Sequence, residues 1–390
     1  MTAEPAAPSS LDVESIRREE FPWAEETTYL NHASIGPHPE RTRRALAEYH
    51  ERRSAPHRLG EGDFFPIFEA ARAAAARLIN ADPAEIALAP NTSYGINLAA
   101  LALPLGPEDV VLASDKEFPA LVYPFLHRAV HGAFRFELLP LTPEGWPDEG
   151  ALLARLDDPR VRCLAVSLTQ FSTGYTLDLA RLSRETRARG ILLVVDAIQA
   201  CGQLPVDVAA TPVDMLSCGA QKWLLGPWGS GFTYVRRSLL DRIEPPWAGW
   251  MAFQGTDDLS RLCAYNPDLR HDARRFEMVT LPFQDFCGMV ASLSLFAEIP
   301  AEAIAAHLRS LRVPVVEWAR RRGVPVTSPL GGSGSGILCI RPPDAERAWQ
   351  ALNDAGVVTS LREGAIRLSP HLYNTVEELE RVARLLDRAL

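Results

Sequence analysis

The chain has 390 residues, a formal net charge of −9, and a composition that is 47% hydrophobic and 23% charged. That length allows a large core and two domains. A net acidic chain lacks the basic face a nucleic-acid binder needs, and no apolar run approaches the length of a membrane span, so neither partner is expected.

Residues 1–10 are rich in Ala, Pro and Ser, without a basic start or an apolar middle. The stretch 1–20 therefore reads as a disordered tail rather than a signal peptide. The six cysteines form no Cys-x-x-Cys pair, and most sit in apolar runs such as Val161-Arg162-Cys163-Leu164-Ala165-Val166. Buried thiols in a reducing cytoplasm are expected, not disulfides or zinc ligands. Among the nine histidines no metal site is expected.

Thr28-Tyr29-Leu30-Asn31-His32-Ala33-Ser34-Ile35-Gly36-Pro37 reads as an extended piece ending in a Gly-Pro turn. A helix follows over 41–53, and another over 65–79 places Ile67, Phe68, Ala71, Ala74, Ala75, Leu78 and Ile79 on one face. Seven short apolar runs then read as buried strands, at 86–89, 110–114, 134–139, 163–168, 191–195, 215–218 and 232–235. Helical stretches at 95–103, 121–130, 151–156 and 179–189 separate several of them. Such alternation predicts an α/β sheet with ligands beyond the carboxyl ends of its strands.

Beyond residue 245 the alternation weakens. Residues 247–272 read as a loop over a cleft, 286–297 as a helix leading into a smaller α/β unit, and Gly331-Gly332-Ser333-Gly334-Ser335-Gly336 as its most flexible loop. No strand precedes those glycines and no Gly-Lys-Ser/Thr closes them, so they make no phosphate loop. The last helix opens on the capping box Thr375-Val376-Glu377-Glu378.

Polar groups stand just after several strands: Asn91-Thr92-Ser93, Lys116-Glu117-Phe118, Asp196 and Lys222. Lys222 lies in Ser217-Cys218-Gly219-Ala220-Gln221-Lys222-Trp223-Leu224-Leu225-Gly226-Pro227. Apolar neighbours make its charge costly, so its pKa should fall from the roughly 10.4 of a free lysine toward that of a usable nucleophile. Alone, it reads first as a surface lysine at the mouth of a turn.

Three stretches in order change that reading: Val195-Asp196-Ala197-Ile198-Gln199, Gln221-Lys222-Trp223-Leu224-Leu225-Gly226-Pro227 and Arg367-Leu368-Ser369-Pro370-His371-Leu372-Tyr373-Asn374-Thr375. Together they resemble the class V aminotransferase family, the branch of fold-type I pyridoxal-phosphate enzymes that includes cysteine desulfurases and isopenicillin N epimerase-like proteins. The resemblance implies a large domain over 61–250 with a mainly parallel seven-stranded sheet. It implies a small C-terminal domain within 251–390, to which 21–60 contributes. It also implies pyridoxal 5'-phosphate as cofactor, an amino acid or amine as substrate, and a homodimer with shared active sites.

By the same resemblance, Lys222 looks like the lysine that forms the Schiff base and moves the substrate proton. Asp196 matches the aspartate at the pyridine nitrogen, and Gln199 the glutamine near the ring hydroxyl. Thr92, Ser93 and Gln221 fall at the phosphate, although Thr92 could equally be a plain N-cap. Phe118 falls where desulfurases stack a histidine on the ring. Arg367 matches the arginine for the substrate carboxylate, with Asn31 and His32 beside the substrate. Thr280 matches a threonine that reaches the neighbouring subunit's phosphate.

The departures are specific. The usual Ser-x-His-Lys is Gly219-Ala220-Gln221-Lys222 here, and Gln221 cannot titrate. Where desulfurases carry a nucleophilic cysteine, Val357-Val358-Thr359-Ser360-Leu361-Arg362-Glu363-Gly364 has none. A persulfide-forming desulfurase is therefore disfavoured. Transamination is expected first, then a C–S lyase or an epimerase. A non-catalytic dimeric binding protein on the same fold is the alternative from another class.

Overall fold

A computed structural model describes residues 11–389. The strands are β1 (Thr28–Tyr29), β2 (Ile86–Leu88), β3 (Val110–Ser114), β4 (Arg135–Leu139), β5 (Val161–Ser167), β6 (Leu192–Asp196), β7 (Met215–Gly219), β8 (Gly231–Val235), β9 (Leu338–Ile340), β10 (Val357–Val358), β11 (Ser360–Arg362) and β12 (Ala365–Leu368). A seven-stranded sheet runs β2-β8-β7-β6-β5-β3-β4. Its β4, β3, β5, β6 and β7 pair in parallel. Strands β2 and β8 are the exceptions, β8 lying antiparallel to both β2 and β7. Residues 220–230 join β7 to β8 without a crossover helix, and a direct return of this kind can only be antiparallel. Strands β2, β3, β6, β7 and β8 are buried throughout, which is why they read as unbroken apolar runs.

Both chain ends build the smaller unit. Strands β11, β12 and β9 form an antiparallel sheet, and β1 pairs in parallel with β10. The expected disordered tail is corrected in part. Residues 1–10 lie outside the described residues, but Val13–Glu20 is a helix capped by the Asp12 carboxylate, which accepts from Ser15 N–H at 3.0 Å. Leu11 and Ile16 pack on the core, and Arg17 donates to the Tyr373 carbonyl at 3.1 Å and to Glu378 at 3.2 Å. Those contacts fix a segment whose composition alone resembles a linker.

Helix Phe283–Glu298 packs against helices Glu61–Leu78 and Glu40–Ser54 and leads into the long helix Ala301–Arg322. Near them lies a buried ion pair in which Arg72 grips Glu277 through two contacts of 2.9 and 2.7 Å. Glu277 Oε1 also accepts from Leu88 N–H at 3.0 Å, tying that pair to β2. The glycine-rich loop is tied down at its carboxyl end. Arg312 donates to the carbonyls of Ser335 (2.9 Å) and Pro329 (2.6 Å), and Gly336 N–H donates to Gln203 at 2.7 Å.

Candidate active site

The parallel strands end on one edge of the sheet, and a cavity of about 350 Å³ opens there. It is lined by Lys222, Asp196, Thr92, Ser93, Phe118, Gln199, Gln221 and Arg367, residues drawn from across the chain. The volume lies within the range of ordinary small-molecule sites.

The turn after β7 holds Lys222 in place. Leu225 N–H donates to the Lys222 carbonyl at 3.1 Å, and Gly226 N–H to that of Ala220 at 2.8 Å. From the N-terminal segment, Gly36 N–H donates to the Gln221 carbonyl at 2.8 Å. A Cβ on Gly36 would stand 2.1 Å from the Lys222 carbonyl oxygen, so only glycine lets that segment close on the turn. The Lys222 Nζ lies 5.2 Å from the centroid of the Phe118 ring, whose other neighbour is Phe171, edge-on at 5.3 Å. Phe118 is 39% exposed and faces the cavity rather than the core. Burial lowers the Lys222 pKa to about 8, with Asp196 opposing the shift and Arg367 and Arg362 adding to it.

Asp196 closes β6, with Ser167 of β5 and Ser217 of β7 as its register partners. Its carboxylate accepts from Ile198 N–H at 2.9 Å, and burial pushes its pKa up to about 6. Behind it, burial raises the Glu117 carboxyl to about 7 while Ser167 N–H donates to it at 3.0 Å.

Helix Thr92–Ala102 begins at the cavity wall. Its N-cap is Asn91, which accepts from Tyr94 N–H at 3.0 Å, so Thr92 is not the cap. The Thr92 hydroxyl instead accepts from Gly219 N–H at 2.9 Å, joining the helix start to the end of β7. Gly95 permits this approach, because a Cβ there would meet Ser217 Oγ at 2.4 Å. The first-turn N–H groups of such a helix have no intrahelical partner and favour an anion.

Arg367 on β12 is buried, yet it is not the intradomain salt bridge that a buried arginine most simply implies. Its guanidinium donates to Ser34 Oγ (2.7 Å), Ser360 Oγ (3.2 Å) and the Phe171 carbonyl (2.9 Å), all neutral oxygens. Burial lowers its pKa to about 10. An enclosed cation without a carboxylate, open to a cavity, is a receptor for an anion.

Several expected residues lie elsewhere. His32 is fully buried and is not a substrate contact. Its Nδ1 bonds the Ser369 carbonyl at 2.8 Å and its Nε2 the Tyr373 hydroxyl at 2.9 Å, so both ring nitrogens are occupied by residues from the other end of the chain. Asn31 bridges to Ser369 and does not line the cavity. Gln199 lines it, but Trp223 Nε1–H donates to its carbonyl oxygen at 2.7 Å and its amide donates to the Ala33 carbonyl at 3.0 Å. That leaves it one N–H for a ligand. Thr280 is exposed and outside this cavity. No residue from 247–272 lines the cavity either, so that loop does not shape it within one chain. The positions that do, and that carried no signal in the sequence, are Ser34, Phe171, Trp228 and Arg362.

The donor set fits pyridoxal phosphate. Asp196 can face a ring nitrogen, Phe118 offers a ring face, and Thr92, Ser93 and Gln221 surround a helix start suited to phosphate. Lys222 can supply an amine. The lowered lysine pKa gives a direct prediction. Reaction of cofactor-free protein with pyridoxal phosphate should accelerate as pH rises and level off above about 8. Stopped-flow absorbance tests this, and a rate still climbing steeply near 10, as for a free lysine at roughly 10.4, would contradict it.

Four of the cysteines are buried. Cys339 lies in β9, where its thiol donates to the Ser172 carbonyl at 3.1 Å and burial raises its pKa to about 11. It is no ready nucleophile. Among the described residues no single helix is long and apolar enough to cross a membrane.

Comparison with known proteins agrees with this geometry. The profile described as Aminotransferase class-V matches residues 28–318. An uncharacterized aminotransferase of Bacillus subtilis, YcbU, is 31% identical over 311 residues, covering 80% of each chain. Isopenicillin N epimerase of Streptomyces clavuligerus is 31% identical over 340 residues, covering 81% of this chain and 83% of its own. Among solved structures, the cysteine desulfurase CsdA of Escherichia coli superposes with a TM-score of 0.84 at 22% identity, over 97% of this chain and 98% of that one. The cystine C–S lyase C-DES also gives 0.84, at 23% identity, over 94% and 99%. The chain belongs to the class V aminotransferase family, and with that membership comes pyridoxal phosphate as its cofactor.

Proposed function

We propose that the chain is an amino-acid-transforming enzyme, in the first place an aminotransferase, with Lys222 as its catalytic amine and Arg367 as its carboxylate receptor. The observation that carries the reading is the buried Arg367 guanidinium, held only by neutral oxygens, in the same cavity as a lysine of lowered pKa. Pyridoxal phosphate, when bound, supplies a carbonyl for the substrate amine and a ring that draws electrons from the substrate Cα. Arg367 orients the amino acid through a bidentate carboxylate pair. Asp196 holds a proton on the ring nitrogen, and its own burial keeps water from competing for that site. Lys222, partly neutral near pH 8, takes and returns the proton at Cα. Phe118 packs on a ring face and cannot itself titrate, so proton transfer falls to Lys222.

The same groups also suit a C–S lyase or an epimerase, and the epimerase likeness at 31% identity favours keeping that second reading. A persulfide mechanism is not proposed, because 357–364 holds no cysteine and the Cys339 thiol is buried. We extend the proposal to a cytoplasmic homodimer in which the exposed Thr280 reaches the partner's phosphate.

The deciding experiment incubates the loaded enzyme with single amino acids, with and without a 2-oxo acid acceptor. Transamination gives a new amino acid and oxo acid in equal amounts. Pyruvate with ammonia would replace it by elimination, and loss of stereochemistry alone by epimerisation.

A further inference from the structure

Arg367 is not the only guanidinium at the cavity. Arg362, five residues earlier at the end of β11, lines it as well. Its Nη2 lies 3.5 Å from Ser34 Oγ, the oxygen that Arg367 Nη2 approaches to 2.7 Å. Its other contact is the carbonyl of Leu361 at 2.8 Å. So two arginines converge on one hydroxyl, and the contacts of both are neutral. Two like charges this close raise each other's cost, and Arg362 contributes to the lowered pKa of Arg367.

Their settings differ. Arg367 is buried, whereas Arg362 is exposed and also lines a second cavity of about 390 Å³ that shares Phe171 with the first. Glu117, Glu144 and Glu363 line that second cavity, yet none of them forms an ion pair with Arg362 among the described residues. Of the residues lining the Lys222 cavity, the only carboxylate is Asp196, against the three cations Lys222, Arg362 and Arg367. One α-carboxylate satisfies one planar fork. The second fork is then left for another anionic group.

Resting on the amino-acid reading above, we propose that the substrate carries a second carboxylate. Arg367 takes the α-carboxylate and Arg362 takes the one on a short side chain, of the aspartate or glutamate class. A neutral side chain would gain nothing from Arg362, while an acidic one gains a charge-assisted pair worth on the order of 10- to 100-fold in affinity. The shared Ser34 hydroxyl keeps the two forks close, which favours short dicarboxylic acids over long ones.

Glutarate and butyrate test this without depending on turnover, since neither has an amine. Calorimetric titration of the purified protein, with and without pyridoxal phosphate, should show glutarate binding roughly 10-fold or more tighter than butyrate. Arg362→Gln should remove that preference. In the loaded enzyme, the same change should raise KM for glutamate and aspartate well above any rise for alanine. Equal binding of the two acids would overturn the proposal. So would an Arg362→Gln effect of equal size on both, which would mean that both arginines hold one carboxylate. Failure of the enzyme reading would look different: no turnover with any amino acid, while the glutarate preference persisted.

Discussion

Replacing Arg367 with alanine should lower kcat/KM for the amino-acid substrate on the order of 30- to 5000-fold, the equivalent of about 2–5 kcal/mol for truncating one partner of a buried charge pair. The loss should fall mainly on KM, because the guanidinium holds substrate and transition state through the same carboxylate. Arg367→Lys should recover only part, since an ammonium keeps the charge and loses the planar fork. The surroundings support an effect at the substrate and not on folding: Arg367 bonds Ser34, Ser360 and the Phe171 carbonyl, and no carboxylate is orphaned by its removal. Steady-state kinetics would show it, and a change below about 3-fold would remove Arg367 from the substrate site.

Stability should respond most to Glu277. Glu277→Ala strands the Arg72 guanidinium in the interior and leaves Leu88 N–H without its acceptor. Breaking a buried pair from one side costs about 3–5 kcal/mol. That is a large part of the roughly 5–15 kcal/mol that holds an ordinary domain. Replacing both partners, as Arg72→Met with Glu277→Leu, should recover much of the loss because no buried charge remains. Urea unfolding followed by circular dichroism reads the difference. A single variant within about 1 kcal/mol of wild type would mean that water reaches Arg72.

Much of the fold was legible because most of its strands are covered on both faces; β4, with Arg135 and Glu137, is the half-exposed exception. Short apolar runs marked all seven central strands to within two residues, and the polar residues after several of them pointed to the sheet edge where the cavity lies. The direction of β8 was not legible, since periodicity carries no sign and only the short 220–230 connection forces the return. Helix Ala301–Arg322 escaped notice because Pro314 interrupts its pattern, although Gly323 ends it in the left-handed conformation with φ 66°. Helix Val13–Glu20 escaped because its stability comes from contacts with residues more than 300 positions away.

The site divides along similar lines. Lys222, Asp196 and Arg367 stand in motifs whose order is readable, and the structure brings all three to one cavity. Ser34 and Arg362 reach it through the pairing of β1 with β10 and the β11–β12 hairpin, contacts that local sequence does not encode. His32 shows the converse. A histidine in a polar stretch invites a role with substrate, but its neighbours in space are Tyr373, His371 and Trp223, and burial holds its pKa well below the usual value. It is a packing residue whose two nitrogens are spent on Ser369 and Tyr373.

The central claim is that Lys222 carries pyridoxal phosphate. Purified protein titrated with the cofactor should develop a visible absorbance band that borohydride reduction fixes to the chain, and peptide mass analysis should place the modification on Lys222. Lys222→Ala should show neither the band nor the adduct while keeping its fold by circular dichroism. A wild-type protein that stays colourless with the cofactor in excess, or an adduct that persists in Lys222→Ala, would contradict the account.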